Sequence, residues 1–360
     1  MSDWTAIDAR MADPKPVSPF EFWPGWLFYA PVVAYWIALG LRYGDFSLPT
    51  AANPRISTGG LCGESKSSIL DQAGDAATPW IAPYVRLTTG EHDQARALAL
   101  MDGAGLALPL VVKPDIGCNG TGVRLVENPE ALSSALAAFP RGIDLQLQEL
   151  VPYEGEAGVF FVRHPGQTEG VITSLTHKKA PILFGDGRST ILELIMADPR
   201  TRLVPHLYLP RLRDRLADII PAGAPLRLVF AGNHCKGSIF ANGEADITPA
   251  LTASIGRIMA DFPDFHFGRI DIRYPTLASL RGGVGFRIIE INGVGSEATH
   301  IWDPATRLRD AYRTQFEHYR TAFQIGAAQR SAGFTSSGLW RMFRDWRTQR
   351  RLMASYPMND

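Results

Sequence analysis

Cysteine is scarce in this chain. Only Cys62, Cys118 and Cys235 occur, odd in number and widely scattered, which fits neither a disulfide framework nor the paired spacing of a zinc ligand set. An imbalance of charge is missing as well. Lys+Arg and Asp+Glu both number 36, so no global field argues for nucleic acid as a partner. Internal repeats and long low-complexity runs are absent, which removes solenoids and compositionally biased linkers. What remains is the profile of a soluble, cytoplasmic enzyme whose 360 residues suffice for two or three lobes around a shared cleft.

The most informative residues come late. Arg269-Ile270-Asp271-Ile272-Arg273 and Ile288-Ile289-Glu290-Ile291-Asn292 each alternate like a strand. Asp271 therefore points away from Ile270 and Ile272, while Glu290 and Asn292 share one face of the second strand. A connection containing Arg281-Gly282-Gly283 reads as the turn of a hairpin. Three oxygen-bearing side chains on adjacent strands suit a hard cation, and Mg²⁺ held by few carboxylates completes its shell with phosphate oxygens. Solvated strand faces carry such residues too, so a metal site and a polar sheet surface both stay open.

Upstream, Leu110-Val111-Val112-Lys113-Pro114 reads as a buried strand ending in a lysine. Residues 115–123 follow, and Gly117, Asn119, Gly120, Thr121 and Gly122 can form a loop whose backbone N–H groups close over phosphates. The spacing matches neither a P-loop nor a Rossmann fingerprint. A glycine-rich hairpin with a solvated lysine is the alternative. Further on, 145–149 reads as a strand, Leu150-Val151-Pro152 as an apolar linker, and Glu156 precedes a strand at 159–162. Backbone groups around Leu150 and Val151 can meet a base edge while a carboxylate accepts ribose hydroxyls. An ordinary strand–turn–strand with surface acids explains the same residues.

Taken in order, these pieces resemble the ATP-grasp superfamily, in particular its carboxylate–amine ligases of the D-alanine–D-alanine ligase type, over about residues 63–324. The resemblance implies an α+β fold whose two lobes grip ATP. It implies nucleotide contacts by Lys66, Lys113, Gly117, Asn119, Gly120, Thr121, Gly122, Glu149, Leu150, Val151 and Glu156, and metal ligation by Asp271, Glu290 and Asn292. Lys66 is then the first nucleotide lysine, with a strand after it at Pro79-Trp80-Ile81-Ala82-Pro83. Residues 185–195 are similar to a segment in the ATP-grasp part of cyanophycin synthetase, where preceding basic residues reach the triphosphate; that implies Lys178 or Lys179 here. Read locally, the same segment is a Gly-Asp-Gly turn and a helix capped by Ser189 or Thr190.

Arg269 and the backbone of Gly295, in the turn Gly293-Val294-Gly295-Ser296, are implied to steady the reacting oxygens. The implied reaction forms ADP: a carboxylate takes the γ-phosphate of ATP, and an amine then displaces phosphate from the acyl centre. ATP, two Mg²⁺ ions (or Mn²⁺), a small carboxylate and a small amine are the implied cofactors and substrates, the substrate being an amino acid or peptide-like molecule. An ATP-grasp kinase and a catalytically silent nucleotide binder are the competing readings. His234, Cys235, His266 and His300 read as structural or substrate-side residues.

Both ends depart from the family pattern. Residues 22–41, FWPGWLFYAPVVAYWIALGL, carry no charge and are long enough to span a bilayer. Pro24 and Pro31 interrupt them, no cationic leader or clear cleavage site accompanies them, and their aromatics are scattered. A spanning helix, an in-plane segment or dimer contact, and a buried helix all stay open. Residues 339–352 place Trp340, Phe343 and Trp346 at helical spacing among five arginines and one aspartate. Such a helix can lie on an anionic membrane or pack its aromatics inward. Peripheral membrane contact through 22–41 and 339–352, and a homodimer, are therefore expectations to test. The chain divides into an apolar N-terminal region 1–58, an N-terminal lobe 59–106, a glycine-lid lobe 107–148, a catalytic lobe 149–328 with helices at 249–262 and 305–323, and a basic amphipathic tail 329–360.

Overall fold

The computed structural model describes residues 17–230 and 232–359; residues 1–16 of the expected N-terminal region lie outside them. In chain order come helices α1 (Gly25–Tyr43) and α2 (Lys66–Leu70), strand β1 (Tyr84–Thr88), helix α3 (Asp93–Gly103), strands β2 (Leu110–Pro114) and β3 (Arg124–Val126), and helix α4 (Pro129–Ala137). Strands β4 (Asp144–Glu149), β5 (Gly155–Val162), β6 (Val171–Lys179) and β7 (Ile182–Phe184) follow, then helix α5 (Ile191–Ala197) and strands β8 (Pro225–Arg227) and β9 (Ile239–Asn242). Helix α6 (Pro249–Ala260), strand β10 (Phe267–Tyr274), helix α7 (Leu277–Arg281), strand β11 (Arg287–Asn292) and helices α8 (Leu308–Ser331) and α9 (Leu339–Ala354) complete the set.

Short polar residues start many of the helices. Ser65, Asn128, Thr190 and Thr248 each accept a backbone N–H of the first turn of α2, α4, α5 and α6, satisfying donors that the helix itself leaves open. Thr190, rather than Ser189, caps α5, and Glu193 returns the bond as a capping box.

Apolar faces then decide the layers. A four-stranded antiparallel sheet in the order β1-β4-β2-β3 forms the smaller lobe. Its Leu87, Val112, Leu145 and Leu147 pack with Met101 of α3 and Leu132 and Leu136 of α4. Strand β1 thus shares a sheet with β2 to β4, although 59–106 and 107–148 read as separate units. The larger lobe holds a five-stranded sheet in the order β11-β10-β5-β6-β9. Every residue of β5 is buried, as a central strand covered on both faces requires. Val159, Phe161, Ile270 and Ile272 meet α6 through Ile255 and Met259, while Phe160, Val162 and Phe267 meet α8 through Ala322 and Ile325. Strands β7 and β8 form a small separate sheet. The architecture is α+β.

Three local expectations need correction. Strands β10 and β11 pair directly, yet a capped helix, α7, fills their connection, so no tight hairpin forms. Residues 78–80 make a short 3₁₀ turn and the strand after Lys66 starts only at Tyr84, because the proline at position 79 favours a turn. Helix α8 runs from Leu308 to Ser331, since its apolar stripe continues through Ile325 beneath the sheet.

Helix α1 is half-covered. Phe28, Val32 and Leu39 are buried, and Trp36 meets Tyr319 and Phe323 of α8 edge-on, while Trp26 is 75% and Leu41 70% exposed. No helix of the described residues is long and apolar enough to cross a membrane. Just before α1, buried Glu21 pairs with Arg200 at 2.7 Å. Helix α9 lays one edge against the smaller lobe and turns its aromatic stripe outward, with Trp340 78% exposed. Arg347 and Arg350 lie over the Phe343 and Trp346 rings.

Candidate active site

The two lobes face each other across a cleft of about 450 Å³, and the register of β10 and β11 builds its floor. Antiparallel pairing sets Asp271 opposite Glu290 and Arg269 opposite Asn292, so alternation turns all four to one side. All four line the cleft. Lys178 reaches Asp271 from β6, while Gly158 of β5 pairs with Asp271 and leaves room beside it; a Cβ there would come within 2.9 Å of Arg269 Cδ and 3.1 Å of Asp271 Oδ1. Arg269 donates to Asp271 through Nε at 2.9 Å and Nη2 at 3.1 Å, and Lys178 Nζ lies 2.9 Å from Asp271 Oδ1. Burial alone would raise the Asp271 carboxyl, but the two cations outweigh it and hold the group well below the usual carboxylate range. Burial likewise opposes the Arg269 charge, and Asp271 more than restores it.

Two further lysines approach, Lys113 from the smaller lobe and Lys66 from α2, whose Ile69 and Leu70 pack in the core of the larger lobe. Lys66, at the start of α2, donates to the Gly117 carbonyl of the lid at 2.6 Å and stands 3.7 Å from Glu290. Lys113 closes β2 and donates to Gln148 Oε1 at 2.9 Å and the Ile289 carbonyl at 2.8 Å. Burial pushes its ammonium down to about 8. Gly117, Asn119, Gly120 and Thr121 line the cleft as a lid, with Asn119 and Gly120 in left-handed backbone conformation. Gly122 is not among the lining residues; it sits at the base of the lid, packed against Pro114 and Phe139. Helix α9 and the turn after it latch this lid: Tyr356 donates to the Ile116 carbonyl at 2.8 Å, and Cys118 Sγ lies 3.6 Å from Met353 Sδ.

A chain of polar contacts orders the wall. Glu156 lies 3.4 Å from Lys178 and 3.6 Å from Arg273, and Arg273 donates to the Val151 carbonyl at 3.1 Å. Glu149, Leu150 and Val151 line this end, with Phe230 beside them. Lys179 does not line the cleft, since alternation along β6 turns it away from Lys178. Gly295 lines the cleft. Its N–H donates to the Gly60 carbonyl at 2.7 Å, which joins two loops.

At the other end stand residues outside the motifs, together with His234, which the sequence marks as structural or substrate-side. Glu297 accepts from Tyr29 at 2.5 Å, Gln315 at 2.8 Å and Trp302 at 3.2 Å. Arg269 Nη1 reaches the Glu297 backbone carbonyl at 3.4 Å. His234 stacks on Trp302 with ring centroids 4.5 Å apart, and burial pushes its imidazole down to about 3, so it is neutral. Tyr29, His234, Glu297 and Tyr319 all line the cleft, as do Glu64, Gln148 and Arg273. Arg273 and Glu297 each lie two residues beyond a position already singled out, Asp271 and Gly295, and that spacing was the available signal. Tyr29 had none; it sits in the apolar stretch 22–41. His266 and His300 lie outside the cleft lining.

The donor set fits a divalent cation. Glu64 Oε2 is buried without a hydrogen-bond partner, and burial holds that carboxyl above its ordinary range against the pull of Lys66, so this corner keeps an oxygen in reserve for a ligand. Among the described residues, no three His, Cys, Asp or Glu side chains converge. A cation held by Glu290, Asn292 and Asp271 therefore needs oxygens from outside the protein, as phosphate supplies.

A scan against protein-family models and a search of curated proteins each give no match. Among solved structures the chain is similar to a D-alanine–D-alanine ligase from Bacillus anthracis, at 14% identity over 77% of this chain and 71% of that one, with a TM-score of 0.45. It is similar to the D-cycloserine synthetase DcsG at 14% identity over 73% and 70%, TM-score 0.40. A bifunctional glutathione synthetase from Pasteurella multocida aligns at 16% identity over 70% of this chain, TM-score 0.35, and this chain spans only 36% of its length. The two-lobed α+β grip implied by the ATP-grasp resemblance is the architecture observed. With such loose overlays, the chemistry of the cleft rests on its own side chains.

Proposed function

We propose that this protein is an ATP-dependent, ADP-forming ligase that joins a small carboxylate to an amine through an acyl phosphate. The observation that carries this reading is the convergence in one cleft of Lys66, Lys113, Lys178 and Arg269 with the facing Asp271, Glu290 and Asn292 beneath a glycine lid. Phosphoryl transfer asks mainly for positioning and charge neutralisation. Lys113 enters from the smaller lobe, Lys178 from the larger and Lys66 from α2 at their junction, so the triphosphate of ATP would be held where the lobes meet. Val151, Leu150 and Phe230 offer the apolar end to the base, and Glu149 or Glu156 the acceptors for ribose. Mg²⁺, or Mn²⁺ in its place, would be held by Glu290, Asn292 and Asp271 and would neutralise phosphate charge when bound.

Arg269 carries the rest. Asp271 fixes its guanidinium, which then presents its free edge toward the γ-phosphate and the attacking carboxylate. The same donors stabilise the oxyanion formed when the amine attacks the acyl carbon and phosphate leaves. Neither step uses a nucleophilic side chain, in keeping with His234 being neutral and stacked.

Lys113→Ala and Glu290→Ala should each abolish ADP release while circular dichroism and melting show the fold retained. Asp186→Ala is the control, since Asp186 sits in an exposed turn accepting from Arg188 and Ser189 outside the cleft, and turnover should stay within about twofold. Wild-type turnover in Glu290→Ala would overturn the assignment. Phosphate passing to a stable product without any amine would instead identify a kinase.

A further inference from the structure

Helix α9 is strapped to the body by one edge and has no buried residue. That edge reaches two places beside the cleft. Just before Lys66, the Gly63 N–H donates to Gln349 Oε1 at 2.8 Å and Cys62 Sγ to the Met342 carbonyl at 3.5 Å. Farther along, Leu352 and Tyr356 pack on the core of the smaller lobe, and Tyr356 donates to the Ile116 carbonyl. Gly117 lies so close that a Cβ there would stand 3.5 Å from the Tyr356 ring and 4.0 Å from Met353 Cγ. The helix thus ties the loop before Lys66 to the glycine lid, whose Gly117 carbonyl that lysine holds.

Its other face is open. Trp340, Phe343, Arg344, Arg347, Arg350 and Arg351 line it. Asp345 answers Arg341 and Arg344, while Arg347 and Arg350 lie over aromatic rings with no carboxylate partner among the described residues. A second open stripe begins beside this one. On α1, Trp26, Val33, Ile37 and Leu41 are exposed, recur on one side of the helix, and belong to a stretch without charge. Ser336 Oγ donates to Asp45 Oδ2 at 2.7 Å and the Ser337 N–H to Thr50 Oγ1 at 2.8 Å, so the end of α1 and the start of α9 are neighbours. Two copies meeting through α9 would set arginine against arginine, which disfavours a dimer there. An uncharged stripe offers a nucleic acid nothing, whereas it can sink into the boundary between headgroups and acyl chains while the arginines meet anionic headgroups. Neither helix is long and apolar enough to cross a membrane, so both would lie along its surface.

We infer that α1 and α9 dock together on an anionic lipid surface and that α9 passes this contact to the glycine lid. The lipid-facing and lid-facing sides of α9 are opposite, so both contacts are held at once. Docking fixes the strap, and the strap orders residues 115–123. A ligand that needs the ordered lid and a surface that orders it then strengthen each other's binding by the same factor. The inference rests on the ligase reading only in taking that ligand to be a nucleotide. Tyr356 does not line the cleft; it is a positioning residue that acts through Ile116.

Hydrogen–deuterium exchange of the full-length protein, followed by peptide mass spectrometry, reads both ends of this path. Vesicles of phosphatidylglycerol and phosphatidylcholine are compared with phosphatidylcholine alone at low salt. On the anionic vesicles, peptides of α1 and α9 should exchange more slowly, and residues 115–123 should slow at least about fivefold, the low end of coupling between sites. Tyr356→Ala should keep the protection of α1 and α9 and lose that of 115–123, which direct shielding of the lid by lipid would not do. Replacing Trp340 and Trp346 by serine should lose both. A non-hydrolysable ATP analogue with Mg²⁺ should bind the vesicle-bound protein more tightly by the factor by which it raises vesicle affinity. Equal protection by neutral vesicles, slower exchange in α9 with 115–123 unchanged, or an analogue affinity that vesicles leave unaltered would each overturn the inference. So would binding of duplex DNA with no response to any vesicle. The wild-type comparison stands even if a variant does not fold. Lid protection by anionic vesicles, lost in Tyr356→Ala, in a protein that binds no ATP analogue would leave this inference standing and sink the ligase reading instead.

Discussion

Lys113 is where burial and function pull against each other. Its side chain is only 6% exposed, and burial lowers its ammonium from 10.5 to about 8, with Glu290 opposing the fall. At about 1.4 kcal/mol for each pH unit, carrying that charge costs the fold about 3 kcal/mol. The direction follows from which state holds the proton. Below about pH 8 both folded and unfolded chains are protonated and the whole penalty is present. Between about pH 8 and about pH 10.4, where a free lysine titrates, the unfolded chain binds more protons, so stability rises with pH. Above that window both are neutral and the penalty is gone.

Lys113→Met removes the titration. The comparison is made by urea unfolding of nucleotide-free protein in chelator, from about pH 7 to about pH 10. Tyrosines and cysteines titrate in the same range but cancel between the two proteins. Wild-type stability minus variant stability should climb by about 2 to 3 kcal/mol across the window. Parallel curves, within about 0.5 kcal/mol, would refute the claim that this lysine is charged at a burial cost. Saturating ATP should shrink the climb, because phosphate raises the lysine and binding repays the penalty.

Three other outcomes follow from the same geometry. Asp271→Asn leaves Arg269 and Lys178 facing each other without their shared counter-charge, and should lower stability by about 3 kcal/mol or more in a denaturant titration. Gly158→Ala should displace Arg269 from Asp271 and cut turnover at least tenfold for a stability loss of about 1–3 kcal/mol; unchanged turnover would show that the pair has slack. The outward aromatic and arginine face of α9 predicts flotation with anionic liposomes at low salt, lost at high salt or when Trp340 and Trp346 are replaced by serine. Protein that stays at the bottom of the gradient under all conditions removes the membrane contact.

Motif order was a good guide where chemistry depends on strand alternation. Asp271, Glu290 and Asn292 converge because period-two alternation and one antiparallel register suffice to bring them together. Lys113 was legible because an apolar run ending in lysine marks a strand mouth. Lys178 could be separated from Lys179 only once β6 had a face. For Gly295 nothing in the sequence shows that its N–H meets the Gly60 carbonyl of a loop more than two hundred residues earlier. Tyr29 and Gln315 could not be read at all. Each reaches Glu297 through helix packing, and an apolar or amphipathic helix gives no sign of which of its polar atoms turns inward. The segment 22–41 was ambiguous for a related reason, since it buries one face on α8 and leaves the other open.

The central claim is that this cleft spends ATP to join a carboxylate to an amine. Its most direct test is ADP release with Mg²⁺-ATP from amino acids and short peptides supplied singly and in pairs, with mass spectrometry of the products. The account predicts release that requires a pair, a product lighter than the two substrates by one water, and neither in Glu290→Ala. Release with a single acid and a phosphorylated product, or a condensed product formed equally well by Glu290→Ala, would contradict it.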